Sequence, residues 1–248
     1  MNLFILLFFV LSQSAFAGPA VVSTAKSAAT SLPQSSDVTT SVKSNKMINS
    51  SEPTITYQTA ETIFEENKLS TIAVLQIQNK KFELKSVSHG LRKKKVFGLV
   101  PVRIYTVEFF ASQPAKLIKS DEGILSSLKL AESVLLKLTL QRDLSGKKIT
   151  DSFKESLELN GVDIANPSKE ISAVLSELAL INEFKKGETF SLAATWNNDI
   201  ATLYIQKTDG TVKTFTGPEK FISELFSIWF GKTTDDRLAD LKKTLLKQ

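Results

Sequence analysis

The stretch "HGLRKKKVFGLVPVRIYTVEFFAS", from His89 to Ser112, constrains the fold most. Its β-branched and aromatic residues demand a strand, yet Gly98 interrupts the run with a cluster of cations on one side. A glycine at the first central position of a two-residue turn suits a type II′ hairpin. With Gly98-Leu99 as the turn, Arg92 falls opposite Tyr105, Val96 opposite Pro101, and Lys94 opposite Arg103, the last a mildly unfavourable like-charge contact. Beyond Tyr105 on the same face lie Val107 and Phe109. A guanidinium offers a fixed fork to two oxygens, and a phenol adds a donor on a rigid apolar body. Together with an apolar continuation they suit an amphipathic carboxylate. An Arg facing a Tyr across a hairpin is also a common surface cation–π arrangement.

The rest of the chain supplies the frame for such a hairpin. "TIAVLQIQ" and "KFELKSV" alternate around Asn79-Lys80 as a second hairpin, and "SVLLKLTLQ" puts Val134, Leu136, Leu138 and Leu140 on one strand face. A helix is expected from the cap-like Ser145, with Ile149, Phe153 and Leu157 on one stripe. A second spans "PSKEISAVLSELALINEF", with Ile171, Val174, Leu175, Leu178 and Ile181 on its stripe. Three short strands follow, "TFSLAATW", "IATLYIQ" and "TVKTFT", separated by Asn197-Asn198-Asp199 and Thr208-Asp209-Gly210. "GPEKFISELFSIWFG" is a helix with Pro218 in its first turn and Gly231 as its stop. The last helix, "TTDDRLADLKKTLLKQ", carries acids at its start and lysines at its end, in keeping with the helix dipole. Strands and helices are partly segregated, which predicts an α+β fold: a long antiparallel sheet covered on one face by helices.

Two N-terminal segments stand apart. Residues 1–17, "MNLFILLFFVLSQSAFA", have a short apolar core and a small-x-small ending, which reads as a secretory signal cut after Ala17. Residues 18–53 are rich in Ser, Thr and Ala and lack aromatics, as expected of a disordered tether. The folded domain is then 54–248. The absence of cysteine excludes disulfides, thiolate metal sites, covalent haem and lipidation at an N-terminal cysteine. One histidine, His89, argues against a zinc site, so no metal or cofactor is expected. An exported chain without cysteine fits a bacterial periplasm or secretion. A net charge of +5 tolerates anionic partners, but "RKKK" without interleaved aromatics does not indicate nucleic acid. "FGKTTDD" lacks the upstream glycine of a phosphate loop and reads as a helix stop followed by an N-cap. Trp229 and Phe230 read as core anchors, His89 as a loop residue beside Gly90, and Arg142-Asp143 as a turn pair.

"GLRKKKVFGLVPVRIYTVEFF", "LQRDLSGKKITDSFKESLELNG" and "FISELFSIWFG", in that order and spacing, resemble the chalcone isomerase-like proteins from about Thr71 onward. The resemblance implies a long antiparallel sheet with helices on one side and a ligand cleft between them. It also implies that Arg92 and Tyr105 match the arginine and tyrosine that hold the carboxylate in the family's fatty-acid binders. The positions of the enzymes' other polar site residues are matched by Tyr105, Ile149, Ser156 and, approximately, Ile228, so only the arginine is kept. Ile149 and Ile228 offer no hydrogen bonds for a developing charge, which argues against chalcone cyclisation. The leading expectation is an exported, non-catalytic binder of a fatty acid or similar amphipathic carboxylate, lined by Arg92, Tyr105, Val107, Phe109, Ile149, Ser156 and Ile228, not transmembrane once the signal is removed. Two others stand beside it: an intramolecular lyase of unknown enone substrate using Arg92, and an envelope interaction module whose cleft is filled by side chains.

Overall fold

A computed structural model describes residues 52–96 and 100–247. The signal and most of the tether lie outside the described residues, as do Phe97, Gly98 and Leu99. In chain order the elements are β1 (Thr54–Phe64), β2 (Asn67–Ile77), β3 (Lys80–Val96), β4 (Val100–Ala111), α1 (Ile124–Ser127), β5 (Ser133–Leu140), β6 (Leu144–Ser145), α2 (Gly146–Leu159), α3 (Lys169–Ala179), β7 (Glu183–Phe184), β8 (Thr189–Asn197), β9 (Ile200–Gln206), β10 (Val212–Pro218), α4 (Glu219–Phe230) and α5 (Asp236–Leu246). Eight strands form one antiparallel sheet in the order β1-β2-β3-β4-β5-β8-β9-β10, while β6 and β7 make a separate two-stranded ladder. No helix among the described residues is long and apolar enough to cross a membrane.

The α+β architecture follows from the alternation of the strands. Along β5, Val134, Leu136, Leu138 and Leu140 enter a core shared with α2, α3, α4 and α5, while Leu135 joins a second core on the opposite face. A period of two assigns the two sets to two sides. The helices cover one face, as expected. The other face is closed by the sheet itself, which curls until β1 reaches β8 and β9. Gln206 Nε2 donates to the Ile55 carbonyl at 2.8 Å, and the hydroxyls of Tyr57 and Ser191 lie 2.5 Å apart. Ile55, Leu75, Leu84, Phe110 and Tyr204 fill the inside of the curl.

This inner face carries a buried charge pair that the alternation alone did not flag. Glu108 and Lys137 are register partners across β4 and β5. Lys137 Nζ donates to Glu108 Oε1 at 2.6 Å and to Ser70 Oγ at 2.9 Å, and Glu108 Oε2 accepts the Ser70 amide at 2.5 Å. Lys137 also lies over the Tyr57 ring, 4.9 Å from its centre. Each Glu108 oxygen therefore has a donor and the Lys137 ammonium two acceptors, as such burial requires.

Capping sets the helix boundaries. Ser145 accepts from the Lys148 amide, Ser168 from Ile171 and Asp235 from Leu238. Two boundaries differ from expectation. Pro218 ends β10 and is the N-cap of α4 rather than a first-turn residue. The second helix stops at Ala179, so Ile181 leaves the stripe; its carbonyl accepts from Gly146 N at 3.1 Å and holds the start of α2.

Candidate functional site

The β3–β4 hairpin, the longest in the sheet, sets the site. Its register places Arg92 opposite Tyr105, as the sequence predicts. Towards the turn the ladder then slips by one residue. Lys93 pairs with Arg103, Lys95 with Pro101 and Val96 with Val100, in place of Lys94 with Arg103 and Val96 with Pro101. The extra residue is Ile104, a bulge on β4. Bulges re-aim side chains, and here Ile104 and Tyr105, neighbours that would otherwise face opposite sides, both line one cavity. The like-charge contact of Arg103 is answered by acids: its guanidinium lies 2.8 Å from Glu65 and 3.9 Å from Glu66.

That cavity, of about 310 Å³, lies between the hairpin and helices α2, α4 and α5. It falls at the small end of the range for small-molecule pockets. Arg92 and Tyr105 line it together with Ile149, Phe153 and Ser156 from α2 and Ile228 from α4. Of the seven residues expected to line a ligand site, five therefore converge here. Val107 and Phe109 do not line it. Both are fully buried further along β4, where Phe109 packs against Phe230 with ring centres 5.1 Å apart. The sheet-side continuation of the slot is a packed core, and the cavity's apolar wall comes from α2 and α4 instead. Exposed Lys94 and Lys148 also line it, Lys94 lying 4.0 Å from Glu155 while Asp151 is held by Lys147 at 2.6 Å.

Arg92 is 4% exposed, and its charge is already matched. Its Nη1 donates to Asp235 Oδ1 at 2.9 Å and its Nη2 to Asp235 Oδ2 at 2.5 Å, a bidentate pair; Nη1 also contacts the Lys93 carbonyl. Asp235 Oδ1 simultaneously accepts the Leu238 amide at 2.9 Å, capping α5. Burial alone would raise the Asp235 carboxyl, but the Arg92 hydrogen bond and charge and the Leu238 and Arg237 amides outweigh it and hold it below the usual aspartate value. Asp235 is thus a carboxylate at neutral pH.

Gly90 explains how α5 comes to lie there. It shares a strand face with Arg92, two residues on, and a Cβ at Gly90 would come within 2.6 Å of Leu241 Cδ1 on α5. The missing side chain lets the helix settle on β3 with its capping aspartate at the guanidinium. The Gly-x-Arg spacing therefore has a packing cause.

Tyr105 is oriented from the other side. Trp229 Nε1 donates to its hydroxyl at 3.1 Å, and Trp229 is itself fixed edge-on against Phe153, with ring centres 5.3 Å apart. Burial raises the Tyr105 phenol, opposed by the Arg92 charge and the Trp229 hydrogen bond. The phenol stays protonated, and because its oxygen already accepts, its O–H is left to donate.

Sequence reasoning missed Asp235 and Trp229 as site residues. The first was legible only as an N-cap and the second only as an apolar anchor. His89 lies within β3, paired with Glu108, rather than in a loop, and does not line this cavity; its ring packs edge-on against Phe64, with centres 4.7 Å apart. Asp143 accepts the Lys186 amide at 2.7 Å, the structural turn role expected of it. Among the described residues, no group of three or more His, Cys, Asp or Glu is placed to hold a metal ion.

Comparisons with known proteins bear on the family and the fold. A family model described as chalcone isomerase-like matches residues 64–247. The crystal structure of a fatty-acid binding protein from Arabidopsis thaliana superposes with a TM-score of 0.51 at 13% identity, over 77% of this chain and 100% of that one. At that identity the likeness speaks for the fold. No curated protein matches in sequence.

Proposed function

The chain belongs to the chalcone isomerase-like family, and from that premise we propose that it is a binding protein for a small acyl amphiphile, a fatty acid or a derivative of one. The observation that carries this reading is the cavity that brings Arg92 and Tyr105 together with an apolar wall of Ile104, Ile149, Phe153 and Ile228. A largely apolar wall with a few polar groups fits a tail and a head group. The fatty-acid binding named for the Arabidopsis structure adds support at the level of fold.

Catalysis is the weaker reading. An enolate or phenolate developing beside Arg92 would meet a cation already neutralised by Asp235, and Tyr105 is the one oriented hydroxyl donor beside it. The reading as a vestigial interaction module required a cleft filled by side chains, whereas this one is open. Export remains part of the proposal on the strength of residues 1–17. N-terminal sequencing of protein recovered from the periplasm or medium should begin at Gly18, and a start at Met1 would refute cleavage.

The experiment for binding is displacement of a fluorescent acyl probe from the full chain. Wild type should bind the probe, and Ser156→Phe, which projects a ring into the cavity, should lose it while keeping its unfolding curve. Equal binding by both would place the probe elsewhere and overturn the assignment.

A further inference from the structure

The carboxylate seat at Arg92 is occupied from within. Asp235 takes both Nη atoms in the fork geometry that a ligand carboxylate would use. It is pre-positioned, because the same carboxylate caps α5 through Leu238. An incoming carboxylate could displace Asp235, whose side chain is 31% exposed, breaking a bidentate pair and a helix cap, or share the guanidinium with it. Sharing leaves an excess negative charge in a site where Arg92 is 4% exposed, and excess buried charge is strongly unfavourable. The rim supplies no buried counter-charge: Lys94 and Lys148 are exposed to solvent, Lys94 already lies 4.0 Å from Glu155, and Asp151 is held by Lys147.

Two donors remain. Among the described residues no acceptor meets Arg92 Nε, and the Tyr105 O–H is free because its oxygen accepts from Trp229. Two N–H or O–H groups with no net charge behind them match a neutral oxygen. Resting on the acyl-binding reading above, we infer that Asp235 sets the head-group charge this cavity accepts. The bound compound has an uncharged, hydrogen-bond-accepting head, an amide, ester or aldehyde carbonyl or an alcohol, and the free carboxylate is turned away.

The test is calorimetric titration of the full chain with decanol, decanamide and decanoate near neutral pH. Wild type should bind the two neutral compounds at least about tenfold more tightly than decanoate, a difference of ~1.4 kcal/mol. Asp235→Asn keeps a good N-cap but exposes an unmatched guanidinium, so its preference should invert towards decanoate. Should that variant prove too unstable to purify, wild type alone decides. Lowering the pH to about 4.5 protonates much of the decanoate, whose carboxyl titrates near ordinary carboxyl values of about 4.3. Decanoate binding should then rise towards that of decanol. Wild-type decanoate affinity equal to that of decanamide, a ratio unmoved by Asp235→Asn, or decanoate binding that weakens on acidification would each overturn the head-group assignment and leave the cavity reading standing. Failure of wild type to bind all three compounds would overturn both.

Discussion

Lys137→Met tests whether the charge pair inside the curl is as closely matched as its geometry implies. Lys137 and Glu108 side chains are 12% and 6% exposed, so water screens them little. Removing the cation takes from Glu108 its 2.6 Å partner and leaves it the Ser70 amide alone. Breaking a buried pair in this way costs about 3–5 kcal/mol. Methionine restores most of the apolar stem, so ~4 kcal/mol is the expected loss in urea unfolding, read as a lower midpoint with an unchanged slope. Adding Glu108→Gln should recover most of it. The amide oxygen still accepts from Ser70, no charge is stranded, and the double variant should lie within about 1 kcal/mol of wild type. The second substitution thus restores about 3 kcal/mol, a large fraction of the 5–15 kcal/mol that holds an ordinary domain together, and because Glu108→Gln alone strands Lys137 the coupling in the cycle is larger still. A single-variant loss below about 1 kcal/mol, or additive effects, would refute the reasoning.

Other expectations are as direct. Asp235 has a carboxyl held below its ordinary value, so the stability it contributes is fully present above the unfolded-state value of about 3.9 and is lost as pH falls through the folded-state value. Unfolding between pH ~6 and ~2.5 should show this acid slope in wild type and a flatter one in Asp235→Asn. Gly146→Ala should cost about 1–3 kcal/mol, because the new Cβ meets the Ile181 and Leu178 carbonyl oxygens, backbone atoms that cannot swing aside. Thermal unfolding reads it. Trp229→Phe removes the donor to Tyr105 and should cost ~1 kcal/mol or somewhat more with the lost packing; no loss would mean that the bond contributes nothing to stability.

Much of this fold was legible because its strands alternate cleanly and its helices carry strong caps. Ser145 and the two hairpins announce themselves within short windows. The Arg92/Tyr105 pair came out right because two one-residue shifts cancel: nearest the turn Val96 pairs with Val100 instead of Pro101, and the Ile104 bulge then restores the count. A one-residue bulge leaves no mark in hydrophobic pattern, so the pairing beyond it could not be counted from a turn. β1 escaped notice because "TITYQTAETIF" is mostly exposed and offers little apolar alternation. The curl that buries Ile55 and Tyr57 joins residues more than 130 positions apart, beyond any local signal. The same holds for Arg92 and Asp235, 143 positions apart. Both looked ordinary in sequence, one a cation in a basic run and the other a helix cap, and only the close seating of α5 on Gly90 brings them together. Val107 and Phe109 share Tyr105's side of β4, as alternation predicts, but local alternation cannot tell a cavity wall from a packed core.

Native mass spectrometry of the full chain, purified from cells under gentle conditions, asks most directly whether the cavity holds an acyl compound. Wild type should carry one additional mass in the range of a small acyl compound, absent from Ser156→Phe. Wild type at its bare mass both as isolated and after incubation with acyl compounds, or an adduct retained equally by the filled variant, would contradict it.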